Sequence, residues 1–268
     1  MQFDQLLKEV APCLGLQWRL FQRRGIKRKV ERRLTQLGLP NFEAYLSRIK
    51  SDPAEQAYLS TILAVTISRF FRDKEVFDLL ETSVLPTILR NREKSDLKFW
   101  SIGCASGEEP YSLSLLWKEK FEKDFPKIRL SILATDIDEG MIERAKEGRY
   151  KKSSLREVPD SIIKRYFRIE NQFYIVEQAI RGSVEFRKQN ILEEEPVSGM
   201  DVIFCRNLAF TYFSKESQIK VLRKIAISLN QKSYLVIGKD ETLPLVYPIL
   251  FVPIFPTQNI YQKFNPDF

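Results

Sequence analysis

Trp100 to Ser112 reads W-S-I-G-C-A-S-G-E-E-P-Y-S. Just upstream, Lys98 to Gly103 (K-F-W-S-I-G) is a short apolar run that predicts a strand. Just downstream, residues 108–124 predict a helix that ends before Phe125-Pro126. Gly103 and Gly107 stand between them, and glycines at such a turn let a ligand approach the backbone closely. A second strand, Arg129 to Ala134, runs into Thr135-Asp136-Ile137-Asp138. An acidic side chain at that strand end can hydrogen-bond ribose hydroxyls. On these features alone a purely structural turn with an N-capping Asp carries equal weight.

The same rhythm continues outward. Glu139 to Glu147 and residues 215–229 predict helices, while Val202 to Cys205 and Tyr234 to Gly238 predict strands. Strands alternating with helices of this length indicate an α/β fold: a parallel, Rossmann-like sheet covered on both faces, with ligands at the carboxyl ends of the strands. Residues 148–190 interrupt it. Phe173 to Val176 and Ser183 to Phe186 predict short strands bracketing Arg181-Gly182, a small antiparallel β insertion. Before residue 90 the apolar spacing is helical, as in Leu34, Leu37, Phe42, Tyr45, Leu46 and Ile49. Gly38-Leu39-Pro40 breaks two helices, and Asp52-Pro53 starts another as N-cap and first helical residue. The expected division is a helical N-terminal domain at 1–85 and a sheet domain at 86–268.

The chain has 268 residues, 44% hydrophobic and 29% charged, ordinary values for a globular protein. No apolar run approaches the roughly 18 to 20 residues that span a bilayer, so no membrane insertion is expected. The first residues lack a secretory pattern, and Cys13, Cys104 and Cys205 form no CxxC pair. A cytoplasmic protein with reduced thiols is the expectation. Histidine is absent, which excludes Ser-His and Cys-His nucleophile pairs and histidine-bound metals, and no metal site is expected. Residues 1–50 hold eleven Lys/Arg against four Asp/Glu and so carry almost all of the net charge of +8.

Loop chemistry narrows the ligand. A dinucleotide site wants amide donors and no negative charge beside its pyrophosphate. Here Glu108 and Glu109 occupy that place. Two carboxylates repel phosphate and suit a cation, so S-adenosylmethionine, with a sulfonium, an ammonium and no phosphate, fits better than NAD or ATP.

G-C-A-S-G-E-E-P-Y-S together with A-T-D-I-D resembles the chemoreceptor glutamate methyltransferases, the CheR family. T-I-S-R-F-F-R-D (66–73), Q-N-I-L (189–192), F-C-R-N (204–207) and R-R-L-T-Q-L-G-L (32–39) resemble further family segments, so the likeness runs from about residue 15 to 245. The resemblance implies S-adenosylmethionine as methyl donor and S-adenosylhomocysteine as product. It implies that Thr66, Ser68 and Arg72 reach the cofactor from the helical side and that Gly103 and Glu109 flank it. It further implies Asp136 on the ribose, Asn190 and Ile191 beside the adenine, and Arg206 with Asn207 near cofactor and acceptor. Arg72 and Tyr212 would stand at the reacting centre. The family commonly has three residues between C-R-N and Y-F; this chain has four, L-A-F-T. Tyr212 as an orienter of the acceptor and Tyr212 as a half-buried helix-start tyrosine weigh equally.

The implied reaction also suits a chain without histidine. A carboxylate with a pKa near ~4.3 is already ionised at neutral pH and needs no base before it attacks a sulfonium methyl, whereas a lysine at ~10.4 does. The basic run Arg23 to Arg33, with Arg28, Arg32 and Arg33 as the recognition candidates, is either a solvated helix face or a surface for an acidic helical signalling protein that bears the methylated glutamates. Aromatics are not interleaved with it as base stacking would want, which counts against nucleic acid. Two other readings stay open: a different acceptor, such as a small carboxylate or a nucleic acid, and a signalling partner that binds S-adenosylmethionine without turnover. The sequence leaves the oligomeric state open.

Overall fold

The computed structural model describes residues 1–64, 68–90, 96–246 and 249–264. The first part is helical: α1 (Phe3–Cys13), α2 (Arg24–Gln36), α3 (Phe42–Ser51) and α4 (Pro53–Leu63). Gly38, at φ +65, turns the chain between α2 and α3. Asp52 caps α4 by accepting from the backbone of Ala54 at 2.9 Å, with Pro53 at the first position. Ile26, Val30 and Leu34 recur every four residues along α2 and are buried against Leu6, Val10, Phe21, Tyr45 and Leu59.

A second helical stretch, α5 (Lys74–Leu79), passes through a π-helical turn at Leu80–Val84 into α6 (Leu85–Leu89). Its buried residues Val76, Leu80, Leu85 and Leu89 join the core of the sheet and not that of α1–α4.

The remaining strands and helices follow in chain order. They are β1 (Leu97–Ile102), α7 (Glu108–Lys120), β2 (Leu130–Asp136), α8 (Glu139–Glu147), β3 (Arg149–Lys151), α9 (Asp160–Tyr166), β4 (Phe167–Glu170) and β5 (Phe173–Val176). Then come α10 (Gln178–Arg181), β6 (Val184–Lys188), β7 (Met200–Cys205), α11 (Ala209–Tyr212), α12 (Lys215–Ser228), β8 (Leu229–Ile237), β9 (Phe251–Phe255) and β10 (Ile260–Lys263). Seven strands form the main sheet in the order β6-β2-β1-β7-β8-β10-β9. Strands β6, β2, β1, β7 and β8 are parallel; β10 and β9 add an antiparallel edge. The chain steps outward from β1 to β6, then crosses back to β7. The crevice of such a sheet lies at that reversal, outside the carboxyl ends of the strands. Register aligns those ends, with Ile102 opposite Thr135 and Ser101 opposite Phe204. Phe99, Ile132, Val202 and Val236 face α5–α7, while Trp100, Leu133, Ile203 and Leu235 face α11 and α12. The fold is the expected α/β sheet with an N-terminal helical part and a small antiparallel sheet, β3-β5-β4.

One strand belongs elsewhere than its sequence neighbourhood implied. Ser183 to Phe186 was expected to pair within the β insertion. Residues 184–188 instead form β6 and run parallel to β2, with Ile132 opposite Val184 and Asp136 opposite Lys188. The insertion closes on itself through a β4–β5 hairpin whose turn residues, Asn171 and Gln172, both take positive φ. The exposed edge of β2 is completed by the next extended segment. The β9–β10 hairpin escaped the sequence pattern because Pro253 sits inside β9, a placement that only an edge strand tolerates. No helix among the described residues is long and apolar enough to cross a membrane.

Arg33 departs from the recognition face as well. Its Nε donates to both oxygens of Glu55, at 3.0 and 3.2 Å, and its guanidinium lies 4.0 Å from the centre of the Tyr58 ring. Tyr45 donates its hydroxyl to the same carboxylate at 2.8 Å. Glu55 is buried, which works to raise its pKa, but the bonds from Arg33 and Tyr45 outweigh that and hold it below the ordinary range. Arg28 and Arg32 remain exposed.

Arg33→Ala leaves the buried Glu55 carboxylate with only the Tyr45 hydroxyl, and the expected cost is about 1.5–3 kcal/mol at neutral pH. A lowered carboxylate pKa stabilises the fold above the ordinary value of ~4.3, and that stabilisation is lost as pH falls through the lowered folded value. Urea unfolding of wild type and variant should therefore differ most above that value and converge in acid. A constant difference down to the acid transition would refute the pairing.

Candidate active site at the carboxyl edge of the sheet

A cavity of about 460 Å³ opens where β1 and β7 end. Ser68, Arg72, Gly103, Glu109, Arg206, Asn207 and Tyr212, all singled out from sequence, line it. Its floor is the turn after β1. Gly103 takes φ +75, and a Cβ there would lie 2.6 Å from a methyl of Leu208. Ala105 also has positive φ, which aims its N–H at Asp136 Oδ2, 2.9 Å away. Gly107, at φ +90, begins α7, and a Cβ on it would press on Ala145 and Phe186. The glycines are therefore required by close approach on this turn.

Asp136 ends β2. Its second oxygen accepts from the backbone N–H of Asp138 at 2.9 Å. Burial pushes its carboxyl above the ordinary range, against the pull of those two N–H bonds. The cap of α8 is Asp138, which accepts from Gly140 at 2.9 Å. Asp136 is thus held by the Ala105 turn, and the capping alternative falls to its neighbour.

The paired glutamates separate. Glu108 folds back onto the Ser106 hydroxyl at 3.0 Å and is buried, which raises its pKa. Only Glu109 lines the cavity, so one carboxylate and not two faces a ligand there. Glu109 accepts from the Ser101 hydroxyl at 2.8 Å and from Arg206 Nη1 at 3.1 Å. Arg206 is the hub of the site: its Nη2 donates to the Arg72 carbonyl at 3.0 Å and to the Asp73 carboxylate. Its buried Nε–H has no partner among the described residues. The segment that carries Arg72 is further fixed by Phe71, whose N–H donates to Ser112 Oγ at 2.9 Å. Phe70 is core packing, edge-on to Tyr150 and Phe167. Cys104 and Cys205 are buried thiols whose pKa burial drives upward, in keeping with small packing residues.

Tyr212 sits at the seam between helices and sheet. Its ring centre is 5.7 Å from that of Phe21, and its carbonyl accepts from Gln17 at 2.9 Å. Before the short helix α11, Asn207 is at φ +54 and Leu208 at φ −132, ψ −92, and Tyr212 follows with four residues between it and Asn207. Asp136, Asn190 and Ile191 are not part of the cavity lining. Asn190 caps its own turn, accepting from Leu192 at 3.1 Å, and Ile191 packs into the core beneath α12. The turn stays beside the site because Gln189 N–H donates to the Asp136 carbonyl at 2.9 Å. Thr66 lies outside the described residues.

Sequence reasoning missed two contributions. Ser153, Ser154 and Arg156, from the start of the insertion, line the cavity, and Ser154 accepts from Phe70 N–H at 3.0 Å. Glu241, buried beyond β8, bonds the backbone of Asn207 at 2.8 Å. Neither lies in a motif, and only tertiary contact reveals them.

The SAM binding domain model of the CheR methyltransferases matches residues 66–255, and their all-alpha domain model matches residues 1–61. A chemotaxis protein methyltransferase of Borreliella burgdorferi is 31% identical over 80% of this chain and 80% of its own length. Chemotaxis protein methyltransferase 2 of Vibrio cholerae is 30% identical over 83% of this chain and 79% of its own. An uncharacterized 104.1 kDa protein of Rhodobacter capsulatus is 31% identical over 90% of this chain, which spans 25% of that relative's length. A solved SAM-dependent methyltransferase from Methanosarcina mazei is 16% identical over 57% of this chain and 58% of its own, with a TM-score of 0.32. The chain belongs to the CheR methyltransferase family and is a methyltransferase whose methyl donor is S-adenosylmethionine.

Proposed function

We propose that the chain esterifies glutamate side chains of an acidic, helical, chemoreceptor-like signalling protein. The observation that carries this reading is the lining of the cavity. Arg69, Arg72 and Arg156 line it, and no lysine does among the described residues. The chain has no histidine, and burial holds the Cys104 thiol protonated. Such a site attracts an anionic acceptor, and the one carboxylate in its lining, Glu109, is engaged by Arg206 and Ser101. The relatives named as chemotaxis protein methyltransferases support the same acceptor class.

The lining fits the cofactor. Glu109 offers a carboxylate to a cation, Gly103 leaves a surface no side chain could leave, and the Nε–H of Arg206 is an unused donor. We assign Ser68, Arg72, Gly103 and Glu109 to the methionine and ribose end, Asp136 to the ribose, and Asn190 with Ile191 to the adenine. Thr66 keeps the sequence assignment beside Ser68. Arg206 and Asn207 frame the site, and Tyr212 orients the acceptor. Bound S-adenosylmethionine supplies an electrophilic methyl group. The acceptor carboxylate forms the new O–C bond as the C–S bond breaks, giving a methyl ester and S-adenosylhomocysteine. The residues position and desolvate the reactants, and no proton moves. The helical N-terminal part, with Arg28 and Arg32 exposed on α2, is the recognition element for the acidic partner.

Transfer from radiolabelled S-adenosylmethionine into cell-extract proteins should yield label released as methanol by mild base. A base-stable product would mean another acceptor chemistry. Because the acceptor carboxylate has a pKa near ~4.3, the rate should be level from about pH 6 to 8.5 and fall only in acid. A rate climbing through that interval would point to an amine.

Calorimetry should detect S-adenosylhomocysteine binding. Asp136→Ala should weaken it by roughly tenfold or more, the loss expected for charged hydrogen bonds worth about 1.5–3 kcal/mol. Arg72→Ala should lower turnover strongly. Wild-type behaviour in both variants would remove these residues from the site.

A further inference from the structure

The short helix that carries Tyr212 is held by a carboxylate outside every motif. Glu241 is 3% exposed. Its Oε2 accepts from the N–H of Asn207 at 2.8 Å and from the N–H of Gly238 at 2.6 Å. Its Oε1 accepts from the Thr211 hydroxyl at 2.6 Å. One side chain thus ties both ends of the 207–211 loop to the end of β8, one residue short of Tyr212. The loop needs such a tie, because Asn207 is left-handed and Leu208 lies outside the usual backbone regions.

The tie is itself braced. Asn259 Nδ2, from the β9–β10 hairpin, shares its two hydrogens among the carbonyls of Gly238, Lys239 and Glu241, at 2.8 to 3.0 Å. A Cβ at Gly238 would sit 2.6 Å from Asn207 Nδ2 and 2.8 Å from Glu241 Oε2, so the carboxylate fits only because that residue is glycine. A buried carboxylate braced this way is costly to place unless its donors are fixed. Two of its three donors belong to the loop that brings Thr211 and Tyr212 to the cavity.

We infer that Glu241 is a positioning residue: it sets Tyr212 against the acceptor without touching cofactor or acceptor itself. The inference rests on the acceptor-orienting role given to Tyr212 above.

A double-mutant cycle tests it, read as base-labile label transferred into cell-extract proteins by the full chain, with S-adenosylhomocysteine calorimetry and thermal melts alongside. Tyr212→Phe and Glu241→Ala should each cut transfer roughly tenfold, with S-adenosylhomocysteine affinity held within about threefold, and Glu241→Ala should cost less than about twofold in the Tyr212→Phe background. Glu241→Gln should stay within about threefold of wild type, because its carbonyl accepts both N–H groups and its amide donates to Thr211. Equal cost of Glu241→Ala in both backgrounds, or cofactor affinity falling in step with transfer, overturns the inference. If Tyr212→Phe alone leaves transfer unchanged, the role given to Tyr212 fails first. Should Glu241→Ala not fold, Thr211→Val removes a single bond and must show the same non-additivity with Tyr212→Phe; simple additivity there overturns the inference too.

Discussion

The site depends on one buried cation. Arg206, with 3% of its side chain exposed, leaves the end of β7 and meets Glu109 at the start of α7 and both the carbonyl of Arg72 and the carboxylate of Asp73. A guanidinium taken out of water costs several kcal/mol unless its donors are met, so each partner is held as firmly as Arg206 itself. Three parts of the chain far apart in sequence are forced to converge: the segment after α4, the Gly-rich turn and the reversal point of the sheet. The unusual backbone at Phe71 and Asp73, both at positive φ, belongs to this convergence. It is strain retained where surrounding contacts over-determine it.

Electrostatic consequences follow from the same cluster. Arg206 against Glu109 and Asp73 leaves that corner of the site one negative charge in excess, while Arg69, Arg72 and Arg156 supply positive charge elsewhere in the lining. A ligand with a sulfonium and an ammonium relieves that imbalance; a pyrophosphate would aggravate it. The sequence argument used two carboxylates to reach this preference. The structure reaches it with Glu109, because Glu108 turns back to Ser106 and leaves the cavity.

What could be read in advance follows the range of the physics. Turn chemistry and periodicity are local, so the glycine turn, the Asp52-Pro53 start and the bounds of α8 were legible residue by residue. Sheet partners are not local. Residues 173–176 and 184–188 carry the same short apolar pattern, and only the open edge of β2 decides that the second joins the main sheet. Charges are ambiguous in the same way. Arg28, Arg32 and Arg33 look alike in sequence, yet Arg33 alone faces a buried Glu55. Ser68, Arg72, Gly103, Glu109, Arg206 and Asn207, which line the cavity, were legible because they sit in compact motifs; Glu241 was not, because the loop residues it holds, Asn207 and Thr211, are thirty and more positions away.

Tyr212 brings these strands of argument together. Sequence spacing put its register in question; with four residues between it and Asn207, Tyr212 lines the cavity. The carbonyls of Tyr212 and Phe213 accept from Gln17, Ser214 donates to the Gly15 carbonyl at 2.8 Å, and the Tyr212 ring meets Phe21. The helical part therefore contacts the sheet at two places that both touch the cavity: the Arg72–Asp73 segment through Arg206, and the Gly15–Gln17 turn through Tyr212. The turn after α1 and the Tyr212 end of the cavity are thereby joined through packed contacts and backbone hydrogen bonds.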